Sequence, residues 1–341
     1  MGVEYLQDEE EWDRFIVEKP EARFVYLTGF KRTVEEIYRL TPFYLLFRKE
    51  EKISNVLPLF LLRNLKGERI LVSLPFSEYG GLLSREGREE ILEEVGRLRR
   101  ILRIKGVEIH GGIGLKEKSN HFYYLPLGYY ALLELSHIEE LERNLQHSVR
   151  KNLKKARQWG LRVISGGKEF LKDKFYPLYL LSMKRHGSPP HPLSFFQSLA
   201  SHLGDYMRLI IVEWKDKPIA GLLGWSLKHT FHITHTVSDH KFWFLRANDL
   251  AHWEMIKIAI KEGKKVFDFG PVRYEGQKRY KTKWGVTLFP YYYLYFPPSF
   301  TPHPSDPQAP LYRVLSFLWK KTIPLPLTPL LGKPIRKRLG V

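Results

Sequence analysis

Arg273, Lys278, Arg279, Lys281 and Lys283 put five cations into eleven residues, and Tyr274, Tyr280 and Trp284 are interleaved among them. Such a segment cannot be buried unpaired. At the carboxyl end of a strand it could hold an anionic substrate or stabilise a negative charge as it develops. The same composition also suits a solvated basic loop. Immediately before it, the apolar run 266–269 (VFDF) has β propensity and is expected to be a strand stopped by Gly270 and Pro271. Asp268, near the end of that strand, could act as a base or orient a substrate. A single carboxylate without a visible partner is more often structural.

Several elements must position this stretch. Asn248 is expected to cap a helix with Leu250, Trp253, Ile256 and Ile260 on its inner stripe, closed by Gly263. Ahead of it, 209–214 and 219–227 read as a hairpin and 230–237 as a third strand. His229, His232, His235 and His240 are dense enough to suggest a metal, but His232 and His235 would face opposite sides of a strand, so incidental histidines are the simpler reading. A helix over 137–159 has a capping box, Ser136 with Glu139, an apolar stripe of Leu141, Leu145, Val149 and Leu153, and a stop at Gly160. Its second half carries Arg150, Lys151, Lys154, Lys155 and Arg157. They match the helix dipole as well as they would a bound anion. Helices over 168–185 and 193–203 complete this half.

The first half reads similarly: a strand at 23–28, a short helix at 33–40, strands at 43–48, 53–63 and 69–74, a helix at 87–105 and a strand at 107–110. Both halves end with strands, a long helix, a glycine and a short strand, a weak internal repeat. The expected architecture is α+β, with mixed sheets flanked by helices. Domains are expected over 1–135 and 136–296, followed by a proline-rich linker and basic, apolar tail over 297–341. Within that tail Leu315, Phe317, Leu318 and Trp319 precede Lys320 and Lys321, and Lys333, Arg336, Lys337 and Arg338 close the chain. The tail suits an anionic membrane surface, or it wraps the protein's own core.

Composition narrows the classes. A length of 341 residues, 43% of them hydrophobic, is enough for two cores, so a folded chain is expected. The formal charge of +18 favours phosphate-rich partners: tRNA, nucleotides or an anionic membrane. Without cysteine there are no disulfides, thiolate metal sites or thiol nucleophiles. The amino terminus has no basic start followed by an apolar core, and no apolar run is long enough to span a bilayer, so a cytoplasmic location is expected. The Walker loop, the dinucleotide fingerprint and the paired-histidine zinc motif are missing.

The stretch 268–285 resembles a motif of the FemABX-like branch of the GNAT acyltransferases: Asp268-Phe269-Gly270, Gly276, Tyr280-Lys281 and Trp284-Gly285. The segments 56–64 and 72–82 (the latter with Tyr79), 148–163, 183–192, 217–224 and 247–262 are also similar and occur in the same order, so the resemblance covers about residues 20 to 290. It implies two tandem GNAT-like domains and transfer of an acyl group, typically aminoacyl from charged tRNA, to an amine of a cell-envelope precursor. It further implies that Lys281 stabilises the charge of the transition state; on that reading Asp268 is expected to orient the attacking amine or accept its proton, with no cofactor or metal expected. Arg150, Lys151, Arg273 and Lys283 would then bind phosphate, with Tyr79, Asn248, Tyr280 and Trp284 lining the substrate. Two departures stand out: Pro271 replaces the family's arginine, and no inserted helical arm is visible. Residues 241–247 (KFWFLRA) also lack the coenzyme-A loop of other GNAT enzymes, which leaves an acyl-coenzyme A donor acting on a saccharide amine as the alternative. A non-catalytic docking module on the same scaffold is a third reading.

Overall fold

A computed structural model describes residues 2–111, 122–300 and 310–340. In chain order, β1 (Gly2–Tyr5), α1 (Glu9–Glu18) and α2 (Thr28–Tyr38) lead into β2 (Thr41–Lys49), β3 (Lys52–Arg63) and β4 (Arg69–Ser73). The helix α3 (Arg88–Ile101) and strand β5 (Gly106–His110) follow, and then β6 (Tyr123–Glu134), α4 (Ile138–Asn144), α5 (His147–Gln158) and β7 (Arg162–Gly166). Next come α6 (Tyr176–His186), α7 (Leu193–Leu203), the meander β8 (Met207–Trp214), β9 (Lys217–Ser226), β10 (Thr230–Ser238), and α8 (Ala247–Lys261). The chain continues through β11 (Val266–Val272), α9 (Glu275–Thr282), β12 (Thr287–Phe296), α10 (Pro310–Thr322) and α11 (Thr328–Leu339).

Contacts divide these elements into two units. One comprises 1–127, 290–315 and 332–341; the other comprises 128–289 and 316–331. In the first, the strand order is β1-β2-β3-β4-β5-β12, with β4 and β5 parallel and the other pairs antiparallel. Ile91, Val95 and Leu98 of α3 pack on Leu57, Leu59, Leu71 and Val107, the stripe expected from their 4, 3 spacing. In the second unit the order is β6-β11-β10-β9-β8-β7, with β10 and β11 parallel. Leu250, Trp253 and Ile256 of α8 and Val149 and Leu153 of α5 fill its core. No helix among the described residues is long and apolar enough to cross a membrane.

Several local expectations are corrected. The strand expected at 23–28 is a 3-10 turn, Phe24–Tyr26, running into α2. Asp13 determines this by accepting both the Thr28 N–H and the Thr28 hydroxyl at 2.7 Å, a helix cap supplied from α1 that local sequence cannot reveal. The helix expected over 137–159 is two, because Leu145 and Gln146 are not helical and Leu145 turns into the core. His137, not Ser136, sits at the first cap, and no side chain bonds there. The segment 168–185 becomes regular helix only at Tyr176, after a 3-10 turn and a wider turn over Leu171–Phe175. Pro177 in the first helical turn cannot bond back to that stretch. Strand β12 was not anticipated. Of the prolines expected to stiffen a linker, Pro302, Pro304 and Pro307 lie outside the described residues.

Candidate active site

Strand β11 does not stop at Gly270-Pro271 but continues to Val272 through a bulge. Its pairing with β6 shifts register between Asp268 and Pro271. Pro271 has no N–H for the ladder and is tolerated where pairing is already broken. Gly270 turns the bulge with φ +74°, a left-handed conformation that glycine adopts without penalty. The Asp268 carboxylate, fully buried, accepts the Gly270 N–H at 2.8 Å and so fixes the turn from inside. Two carbonyls made available there, those of Phe269 and Pro271, accept hydrogen bonds from the Lys281 Nζ at 2.6 and 2.8 Å. The basic segment expected as a loop is the helix α9, and it is α9 that carries Lys281 to the bulge.

Beside Lys281 an aromatic box forms. Tyr280 from α9, Trp284, Phe269 from β11 and His252 from α8 have ring centroids 5.3 to 6.0 Å apart around the imidazole. The His252 Nδ1–H donates to the Asn248 carbonyl at 2.8 Å, and the Tyr280 hydroxyl oxygen lies 3.0 Å from the same nitrogen. Burial pushes the His252 pKa down to about 4, so the ring is neutral at pH 7. Burial likewise holds the Tyr280 hydroxyl well above its ordinary value. A neutral, fixed imidazole and an un-ionised phenol are neighbours that do not compete with an ammonium for incoming negative charge.

His252 gives this box a pH signature. Its folded pKa lies below the unfolded value of about 6.5, so between pH 6.5 and 4 the unfolded chain binds the extra proton and stability falls as pH falls. The difference corresponds to up to about 3 kcal/mol. Urea titrations of the wild type and His252→Gln over that range should diverge by this amount, with the variant losing less stability towards low pH. Superimposable curves would disprove the assignment.

The other expected residues are distributed as follows. Lys283 is paired with the Asp249 carboxylate, with only 14% and 6% of the two side chains exposed, and its ammonium lies 4.1 Å from the Tyr280 ring centre. Asp249 also accepts from the Asn152 amide at 3.4 Å. Asn248 does not cap α8: the helix begins at Ala247 after Arg246 in the left-handed region, and the Asn248 amide donates to the Ser238 hydroxyl at 3.3 Å. Trp284 is buried. The Arg273 main-chain N–H donates to the Gln277 side chain at 2.8 Å. Arg150 and Lys151 are exposed on α5, where Arg150 donates to the Arg143 carbonyl at 2.9 Å. Tyr79 belongs to the other unit, fully buried beneath the Arg23 guanidinium 4.7 Å from its ring centre. Sequence reasoning missed His252 and Asp249. The signal for His252 was its i, i+4 spacing from Asn248 on α8, a helix read only for its cap and its apolar stripe.

His232 is buried in β10, and His235 packs edge-on to Phe196 with centroids 5.2 Å apart. Among the described residues no three His, Asp or Glu side chains gather as a metal ion would need.

Comparison with known proteins bears on this geometry. Residues 143–282, which contain the bulge, Lys281 and all of the box but Trp284, match the acetyltransferase (GNAT) domain family. No curated protein matches the sequence. Among solved structures, FemX superposes with a TM-score of 0.68 at 13% identity, covering 86% of this chain and 97% of its own. A C-terminal domain attributed to a lysylphosphatidylglycerol synthetase from Agrobacterium fabrum superposes at 0.57 and 10% identity, covering 84% and 91%. A tandem GNAT protein of the clavulanic acid biosynthesis pathway does so at 0.54 and 10%, covering 88% and 100%. At these identities the likeness is one of fold, and it extends over both units. Residues 143–282 thus resemble an acetyltransferase (GNAT) domain, and the fold of the chain is similar to that of FemX and of the tandem GNAT protein.

Proposed function

We propose that the protein moves an aminoacyl group from charged tRNA to an amine of a cell-envelope or lipid-linked precursor. The observation that carries this reading is the Lys281 ammonium anchored by the Phe269 and Pro271 carbonyls at the β11 bulge. Attack of an amine on an ester carbonyl forms a C–N bond and leaves a tetrahedral oxyanion; its collapse breaks the C–O bond and releases the tRNA hydroxyl. A fixed positive charge beside the oxyanion lowers that barrier, and it costs no reorganisation when held in place beforehand. Asp268 orients the amine or takes its proton, and the cations Arg150, Lys151, Arg273 and Lys283 meet phosphate.

A second reading, acyl-coenzyme A as donor to a saccharide amine, draws support from the acetyltransferase family that matches residues 143–282. Calorimetric titration with charged tRNA and with acetyl-coenzyme A separates the two: saturable heat with acetyl-coenzyme A alone sinks the first.

The proposed site of action is cytoplasmic and peripheral to the membrane. In the tail Phe317 is 58% and Leu330 73% exposed, beside the exposed Leu318, Leu331, Lys320 and Lys321, while the Lys184 ammonium caps the end of α10 through the carbonyls of Trp319, at 2.7 Å, and Ile323. Apolar side chains flanked by cations suit an anionic bilayer. Sedimentation with phosphatidylglycerol vesicles should be salt-sensitive and should be lost in Phe317→Ser/Leu330→Ser. Equal sedimentation of the double variant would exclude this surface.

A further inference from the structure

The first unit contains a cleft of about 480 Å³ that the acyl-transfer reading does not use. Arg39, Arg63, Arg69, Lys337 and Arg338 line it, over a floor that includes Leu40 and Leu62. Among the described residues none of these five cations pairs with a carboxylate. Helix-dipole matching accounts for Lys337 and Arg338, in the last turn of α11. It does not account for the three arginines.

Each of those arginines stands where the fold alone would favour another residue. Arg39 ends α2 in the left-handed conformation, φ 53° and ψ 45°, the position glycine fills at least cost. Arg63 and Arg69 are direct partners across the β3–β4 ladder, a juxtaposition of like charges that weakens a sheet. The end of α11 is clamped onto the same unit. The Gly340 carbonyl accepts the Phe76 N–H at 2.8 Å, and an added Cβ at Gly340 would come 3.1 Å from Leu62. Five converging cations with no counter-charge, built at a cost to the fold and set over an apolar floor, describe a ligand site.

We propose that this cleft binds a phosphate or diphosphate group attached to a short apolar moiety, with Arg39, Arg63, Arg69, Lys337 and Arg338 neutralising the anion and Leu40 and Leu62 meeting the apolar part. Arginine pairs along several N–H bonds with phosphate oxygens, which suits a multiply charged, compact anion better than a lone carboxylate. The ligand comes from one of two sources, a soluble phosphate ester or a lipid headgroup. The inference stands on a different unit from Lys281 and does not rest on acyl transfer.

Isothermal titration of the full chain with pyrophosphate and with octyl phosphate, at low and at physiological salt, tests it. Both should bind saturably and compete, octyl phosphate the more tightly for its apolar chain, and both should weaken as salt rises. Arg63→Ala and Arg69→Ala should each weaken binding about tenfold, the equivalent of one lost charge-assisted contact at about 1.4 kcal/mol per decade. Arg39→Gly is the discriminating variant: it should leave the melting temperature unchanged or raise it, since glycine relieves the left-handed backbone, and still weaken binding. Competition of octyl phosphate by phosphatidylglycerol vesicles, but not by phosphatidylcholine vesicles, would identify a lipid headgroup; absence of competition would identify a soluble ester. Failure of the wild type to bind either probe saturably at low salt would overturn the proposal, as would undiminished binding by a folded Arg63→Ala/Arg69→Ala protein.

Discussion

Lys281→Ala should slow aminoacyl transfer about a hundredfold or more, since one contact to a developing oxyanion is worth roughly 2.7–4 kcal/mol. The measurement is a single-turnover rate with charged tRNA and an amine acceptor, so that binding and chemistry separate. Loss of the two bonds to Phe269 and Pro271 also leaves two carbonyls of the bulge without that donor, an effect of about 1 kcal/mol on stability. A thermal melt therefore accompanies the rate. A small change in melting temperature with a large loss of rate assigns Lys281 to chemistry. Loss of both together assigns it to holding the bulge, and an unchanged rate with a verified donor and acceptor removes it from the mechanism. Lys281→Arg retains the charge, but the planar guanidinium cannot follow two carbonyls set on either side of Gly270 as an ammonium does, so it should rescue only in part.

Lys283→Met should destabilise the domain by about 3–5 kcal/mol, the cost of leaving a buried carboxylate without its counter-ion. Its partner Asp249 is almost wholly buried in the first turn of α8, and the Asn152 amide at 3.4 Å is too weak a substitute. The companion is Asp249→Asn/Lys283→Met. With both charges gone the pair no longer demands solvation, and most of the loss should be recovered. Urea unfolding at pH 7 reads both variants, and a single variant within about 0.5 kcal/mol of wild type would mean that water reaches the pair and screens it. Lys283 was expected to meet phosphate. Its ion pair gives the residue a structural task in the same place, and comparing the affinity of the folded double variant for charged tRNA with that of the wild type tells whether it has a second.

The fold was legible where burial writes itself into a period. The 4, 3 stripe on α3, the meander over β8 to β10 and the inner face of α8 follow from the positions of Leu, Ile, Val and Trp alone. Strand β12 carried an equally plain signal that went unread, since Tyr291, Tyr293 and Tyr295 alternate inward with Tyr292 and Leu294 turned less deeply in. Pro290 and the prolines beyond it masked a period of two. The elements that could not be read depend on partners far away in sequence: Asp13 setting the start of α2, Leu145 breaking a helix to reach the core, Ser238 drawing Asn248 away from a cap.

For the site, residue types marked a basic, aromatic stretch and a lone carboxylate, Asp268, while Lys281 was singled out only by the resemblance that the order of motifs along the chain carries. What no spacing could give is that Gly270 and Pro271 bend a strand around the lysine instead of ending it. Nor could spacing tell that His252, on a helix read as core, forms one wall of the box.

The order in which the polypeptide leaves the ribosome gives β12 a further consequence. Its residue Tyr293 pairs with His110 of β5, so roughly 180 residues must be added after β5 before the strand that covers it exists. At about 5–20 residues per second, β5 presents a bare edge for on the order of ten to forty seconds during synthesis. Neither unit is a contiguous piece of chain, and a single cut leaves neither complete. Fragments ending near residue 127 should accordingly be captured by chaperones or aggregate when expressed alone. A folded, monomeric fragment of that length would show that β5 tolerates its edge.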